Sequence, residues 1–266
     1  MSVDVLYRWH DGSLEPFTET TGIPVQLLAA DSWLVTEGRT LALSLHRDRF
    51  LAAVADAPPR WAAAVRTHEP ERFWDAALAA LPTTGSYFPR VELQLLEGGL
   101  QLVLRLRNAP AQQRSVVVAT LPGEDPRTSP TIKGPDLSRM AEARHLVHPT
   151  GAGEAIILTA DGFVVEGAYS GLLWWRGDIL CSPPLHFERI DSVTVRSVLG
   201  LAAALGVETY NEAVTPAELE GTELWALSAL HGARIVTSWV DGPEMAERPG
   251  RLEAWRRRLG ALRQPV

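Results

Sequence analysis

The chain has 266 residues, of which 46% are hydrophobic and 21% charged, with a formal net charge of −7 at pH 7. These are values of a globular protein of one large or two modest domains, and they exclude a collagen-like, low-complexity or disulfide-scaffold chain. The acid excess without a basic stripe argues against nucleic acid as a partner. No apolar run approaches the roughly 20 residues that span a bilayer, and residues 1–8 lack the apolar core of a signal peptide, so no membrane and a cytoplasmic location are expected.

Residues 3–9 read as a strand and 25–29 as a second apolar run. Residues 32–35 and 40–45 read as the arms of a hairpin turning at Glu37-Gly38. A helix is expected from His46 to Ala57, closed by Pro58-Pro59, with a short helical turn over 60–66. Residues 71–81 form an amphipathic helix, with Pro70 in its first turn and Phe73, Trp74, Ala77 and Leu81 as its apolar stripe. Residues 90–96, 100–106 and 115–120 alternate as antiparallel strands. The segment 122–130 (PGEDPRTSP) reads as a linker between a smaller domain, 1–121, and a larger one, 131–266.

Beyond the linker a helix is expected at 137–147, then strands at 154–159, 163–165, 172–175 and 179–181. A helix over 192–205 and a strand over 207–213 follow, and Thr215 and Glu218 have the spacing of a capping box. Strands over 223–229 and 234–239 and a helix over 252–262 complete an α+β pattern.

One count stands apart. Lys and Arg total 25, yet 24 of these are arginine and the one lysine is Lys133. Codon drift toward arginine replaces lysine wherever any cation serves. A survivor is either a chance surface residue or an amine that arginine cannot imitate, since only lysine can lose its proton and attack a carbonyl. The one cysteine, Cys181, has no intramolecular partner and reads as core.

The neighbours bear on Lys133. It stands in Ile132-Lys133-Gly134-Pro135-Asp136-Leu137. Further on come Asp161-Gly162-Phe163-Val164-Val165-Glu166-Gly167, then Ser192-Val193-Thr194 opening a helix, then Ser228-Ala229-Leu230-His231-Gly232 between two strands. The first half adds His46-Arg47-Asp48-Arg49. A helix start offers N–H groups and a partial positive charge to a phosphate.

Together these motifs resemble the class IV aminotransferase family, the fold type IV pyridoxal phosphate (PLP) enzymes. That family includes branched-chain and D-amino acid aminotransferases and aminodeoxychorismate lyase. The resemblance implies a two-domain fold with PLP between a smaller N-terminal and a larger C-terminal domain, and a homodimer. It makes Lys133 the Schiff-base lysine and general base, and Glu166 the acid facing the pyridine nitrogen. Arg49, Ser192, Val193, Thr194, Ser228 and Ala229 become the phosphate site. Arg107, Arg105 and Arg90 are candidates for a substrate carboxylate; on an exposed sheet such arginines are also ordinary. Trp33, Trp174 and Trp175 are either pocket walls or buried strand residues.

This chain has Gly171 where the family has Asn, and Ala229 where its transaminases have a hydroxyl. The resemblance implies an aminotransferase working on small amino and keto acids. The alternative is a lyase releasing pyruvate, favoured by Ser228-Ala229-Leu230. Other PLP chemistry, including a specialised biosynthetic step, or PLP binding without turnover are further readings. No metal site is expected.

Overall fold

Alternation along Arg90–Leu96 and Gly99–Arg107 builds the spine of a five-stranded sheet. The computed structural model describes residues 4–19, 25–58, 61, 65, 67–97 and 99–266. It divides into two compact units: Met1–Ala111 with Ile132–Pro135 and Leu262–Val266, and Gln112–Thr131 with Asp136–Ala261.

The first unit carries β1 (Asp4–His10), β2 (Ser13–Phe17), β3 (Gln26–Ser32), β4 (Val35–Thr36) and β5 (Arg39–Thr40). Helices α1 (Leu43–Ala55) and α2 (Pro70–Ala79) follow, then β6 (Ser86–Tyr87), β7 (Arg90–Leu96) and β8 (Gly99–Arg107). The main sheet runs β2-β1-β8-β7-β3 with every neighbour antiparallel. Because side chains alternate with period two, Val91, Leu93, Leu102 and Leu104 share one face. They join Phe50 of α1 and Phe73 and Trp74 of α2 in one apolar core. The opposite face carries Arg90, Glu92, Gln94 and Arg105.

The expected hairpin is shorter than its sequence suggested. Its arms are the two-residue strands β4 and β5, and Glu37 and Gly38 both take positive φ, as a tight primed turn requires. Leu43, Ser44 and Leu45, expected in the second arm, belong to α1 instead. Ala42, in the left-handed region, turns the chain directly into that helix. The strands β2 and β6 carry no strong pattern and were not anticipated. The turn expected over 60–66 lies largely outside the described residues.

The second unit carries β9 (Ser115–Thr120), α3 (Leu137–Val147), β10 (Glu154–Leu158), β11 (Val164–Gly167), β12 (Gly171–Arg176) and β13 (Ile179–Ser182). Then come α4 (Val193–Ala204), β14 (Thr209–Asn211), β15 (Glu223–Ser228), β16 (Gly232–Val240) and α5 (Arg251–Ala261). Its eight-stranded sheet runs β11-β10-β9-β16-β15-β12-β13-β14. Here β9 differs from expectation. It does not extend the antiparallel run of the first unit; it lies between β10 and β16 and is parallel to both. Alternation reports which residues face a core but not the direction of the neighbouring strand. The segment read as a linker, 122–130, belongs to this unit and is bonded into it, as described below.

Trp33, Trp174 and Trp175 are buried core residues. Trp33 stacks on Trp74 with centroids 4.8 Å apart, and Trp175 meets the edges of Trp225 and Trp255 at 5.5 Å. Among the described residues no helix is long and apolar enough to cross a membrane.

The short piece Ile132–Pro135 sits with the first unit. Ala30 N donates to Lys133 O at 2.7 Å. Gly134 has φ +137°, and a Cβ on it would lie 2.7 Å from Ala29 C and Ala30 N. Only glycine lets the chain lie this close to β3. Gly134→Ala is expected to destabilise the protein by about 1–3 kcal/mol, read by urea denaturation. An unchanged midpoint would mean that the close approach carries no such demand.

Candidate active site

In the first unit, Asp31 at the end of β3 is fully buried and gathers three donors. Arg49 forks onto it, Nε to Oδ2 at 2.7 Å and Nη2 to Oδ1 at 2.9 Å. His46 Nδ1 donates to Oδ1 at 2.7 Å, and Ser32 N lies 2.7 Å from the same oxygen. Burial alone would raise the Asp31 carboxyl. The charges of Arg49 and His46 and their hydrogen bonds outweigh it and hold the group well below the usual carboxylate range. Burial also pushes His46 down, with Arg49 and Lys133 pressing the same way against Asp31. Arg49 and His46 lie one turn apart on α1, so one helix face delivers both. Arg49 and Lys133 thus both act on His46.

The three arginines expected at the substrate share one face of the sheet. Arg90 and Arg105 are directly opposed across β7 and β8. They close on buried Glu92, at 2.5 and 3.2 Å, and Arg105 also reaches Glu19 at 2.6 Å. Arg107 makes no ion pair among the described residues. Its Nε donates to Phe88 O at 3.2 Å and its guanidinium lies 5.3 Å from the Phe88 ring centre. Burial, then Arg90 and Arg105, push Arg107 below an ordinary arginine. A cation crowded by like charges is a natural anion receptor.

In the second unit, Glu166 on β11 is 5% exposed. Arg127 Nη1 donates to its Oε1, and Ile190 N approaches the same oxygen at 3.5 Å. Arg127 is itself held by Asp125, Nε to Oδ1 at 2.9 Å and Nη2 to Oδ2 at 2.7 Å. Burial works against the Arg127 charge, but Asp125 and Glu166 outweigh it and raise it above its ordinary value. Asp125 fills the fork of the guanidinium, and the remaining nitrogen is aimed at Glu166.

Helix α4 begins at Val193 with Ser192 as its N-cap, and Ser192 Oγ accepts from Val195 N at 3.3 Å. Thr194 is buried in the first turn. Gly171 opens β12 against this helix start. A Cβ there would lie 2.6 Å from Val195 Cγ2 and 3.2 Å from Ser192 Cβ. The asparagine of the family pattern has no room beside Val195. Gly171, Ser192 and Val195 also line a cavity of about 360 Å³ with Arg189 and Asp191.

Ser228 Oγ accepts from His231 N at 3.3 Å across the turn that holds Ala229. His231 Nδ1 accepts from Gln113 N at 3.1 Å. Burial and the charges of Arg234, Arg144 and Arg256 push His231 down to about 4, so it is neutral at pH 7. Cys181 is a buried free thiol, pushed up to about 11 by burial and by Glu212. Among the described residues no cluster of His, Cys, Asp and Glu could hold a metal ion.

Sequence reasoning missed Asp31 and Arg127. Asp31 had a signal, an acid inside an apolar run. Arg127 and its neighbours had none, because a stretch rich in Pro, Gly and charge reads as solvated linker.

The first unit carries the one lysine and an arginine held by a buried acid, and the second carries a buried carboxylate tied to a cation and the start of α4. This donor set suits a ligand with an aldehyde, a basic ring nitrogen and a phosphate. The architecture is that of fold type IV. The family model for amino-transferase class IV matches residues 28–239, and the chain belongs to that family. Its cofactor is PLP, and the residues described here fit that group.

Among solved structures, the chain is similar to the fold IV transaminase CpuTA1 from Curtobacterium pusillum, at 18% identity over 97% of each chain with a TM-score of 0.75. It is also similar to a hypothetical aminotransferase from Mycobacterium tuberculosis in its PLP-bound form, at 20% identity over 98% of each chain with a TM-score of 0.72. A branched-chain aminotransferase from Thermoproteus uzoniensis, solved with norvaline, has 18% identity over 98% of this chain and 96% of that one, with a TM-score of 0.76. No curated protein matches the chain.

Proposed function

We propose that the protein is an aminotransferase that moves an amino group between an amino acid and a 2-keto acid, with Lys133 as the amine that takes up the cofactor. The observation that carries this reading is the chain's one lysine, its backbone pinned to β3 at Lys133 O and Gly134 inside the matched family region. Bound PLP supplies an electron sink for the pair released when a bond to the substrate's α-carbon breaks.

The chain's own residues do the rest. Lys133 Nζ would serve as the general base that accepts the substrate's α-proton and later gives it back. Glu166, backed by Arg127, holds a proton on the ring nitrogen. Arg49 and the starts of α4 at Ser192, Val193 and Thr194 bind the phosphate, with Ser228 and the backbone of Ala229 beside them. Asp31 keeps Arg49 from swinging. Arg107, crowded by Arg105 and Arg90, binds a substrate carboxylate. A homodimer in the cytoplasm completes the reading.

The lyase reading has one specific support, Ala229 at a position where transaminases of the family have a hydroxyl. The test is a paired assay on the PLP-loaded protein. Amino transfer across a panel of amino and keto acids is the expected result. Pyruvate release from aminodeoxychorismate without amino transfer would assign the lyase. Neither activity in a protein that binds PLP would leave a cofactor-binding protein without turnover.

A further inference from the structure

Helix α3 starts at an aspartate that does not cap it. Asp136 holds the N-cap position, where an aspartate ordinarily accepts from an N–H two or three residues on, yet its side chain makes no such bond. Both oxygens turn back on the preceding chain. Thr128 N lies 3.0 Å from each, Thr128 Oγ1 lies 2.8 Å from Oδ1, and Ser129 N lies 2.7 Å from Oδ2. Arg139, one turn into α3, adds a longer contact of 3.4 Å. Asp136 is buried, which alone would raise its carboxyl, but these donors and Arg139 outweigh burial and lower it.

These bonds tie residues 128 and 129 to residue 136, and the loop they close contains Lys133. Pro130 and Pro135 lie just inside its two ends, and each fixes φ and removes an N–H. The tip is held separately, through Lys133 O and the close approach of Gly134 to β3. The helix therefore forgoes a capping bond at its N-terminus, and the loop gains a closed base.

We infer that Asp136 is a positioning residue for Lys133, a clasp that closes the loop presenting the chain's only lysine. This rests on the reading of Lys133 as the cofactor's amine. A loop opened at its base samples more conformations, and a small displacement of a reacting group costs rate steeply.

The test uses full-length wild type, Asp136→Ala, Asp136→Asn and Thr128→Val. Trace acetylation of the cofactor-free proteins, followed by peptide mass analysis, reads Lys133 alone among side-chain amines and does not depend on PLP. The loaded proteins are then compared for PLP affinity and for kcat against KM. In Asp136→Ala, Lys133 acetylation is expected to change by about tenfold and PLP to bind about tenfold more weakly, with kcat falling more than KM rises. Asp136→Asn and Thr128→Val should fall between it and wild type.

Wild-type acetylation and PLP affinity in a folded Asp136→Ala would overturn the clasp. If Asp136→Ala does not fold, unchanged values in both milder variants would overturn it equally. Failure of the underlying reading looks different. The wild type would then give no borohydride-fixed PLP adduct on Lys133, whereas the acetylation comparison would still judge the clasp.

Discussion

Replacing Lys133 with alanine is expected to remove both the covalent hold on PLP and turnover. Proton transfer by a positioned group is worth about 10²–10⁴ in rate, and the loss should be at least of that order because, in the proposed function, the same amine also captures the cofactor. Lys133→Arg should fail as badly, since a guanidinium stays protonated and cannot attack a carbonyl. Borohydride reduction followed by intact mass makes the measurement clean. The wild type should gain one pyridoxyl group that maps to the 132–137 region, and both variants should gain none on a side chain. A variant that turned over at the wild-type rate would remove Lys133 from the chemistry and return it to the reading of a chance surface residue.

Replacing Arg127 with methionine is expected to do nearly as much damage from a residue that touches no substrate. Arg127 and Glu166 are both almost fully buried, with relative side-chain exposures of 5% and 6%. Removing one partner of such a pair leaves an uncompensated charge in a low-dielectric site, at about 3–5 kcal/mol. Glu166 can escape that cost by taking up a proton, and a neutral acid no longer holds a proton on the ring nitrogen. Arg127→Met should therefore lower both stability and kcat, and shift the pH dependence of the bound chromophore's absorbance. Glu166→Gln should reproduce the loss of kcat with a smaller loss of stability, because it removes the charge together with its need for a partner. Equal stability in Arg127→Met and wild type would show that the pair contributes nothing net. An unmoved spectral titration would separate Arg127 from the cofactor.

The arginines of β7 and β8 illustrate how much of the site was legible. Their spacing of two placed Arg105 and Arg107 on one face, and the register adds Arg90 opposite Arg105. What distinguishes Arg107 is absent from the pattern. Glu92 lies between Arg90 and Arg105, leaving Arg107 with a carbonyl and an aromatic face. Arg49 was likewise singled out by its match to a motif, but its acid, Asp31, comes from a strand 18 residues earlier in the chain. The segment 122–130 was read from composition as an interdomain linker, and within it Asp125 holds Arg127, which in turn bonds Glu166, 39 residues away. Composition describes a segment's own preferences. It carries no information about which distant group will need a charge.

By itself the sequence determined most of the periodic elements, the α+β class, the family motifs and the presence of a single lysine among them. Those follow from local rules, since helix and strand periods, turn residues and caps act over a few positions. Only the tertiary structure decided that β9 runs parallel between β10 and β16, that Gly171 leaves no room for a side chain beside Val195, and that Asp136 bonds backward rather than capping its helix. Each of these depends on where residues far apart in the chain meet. A buried charge or a tight backbone approach is settled by the neighbour that fills the space, and local propensity does not name that neighbour.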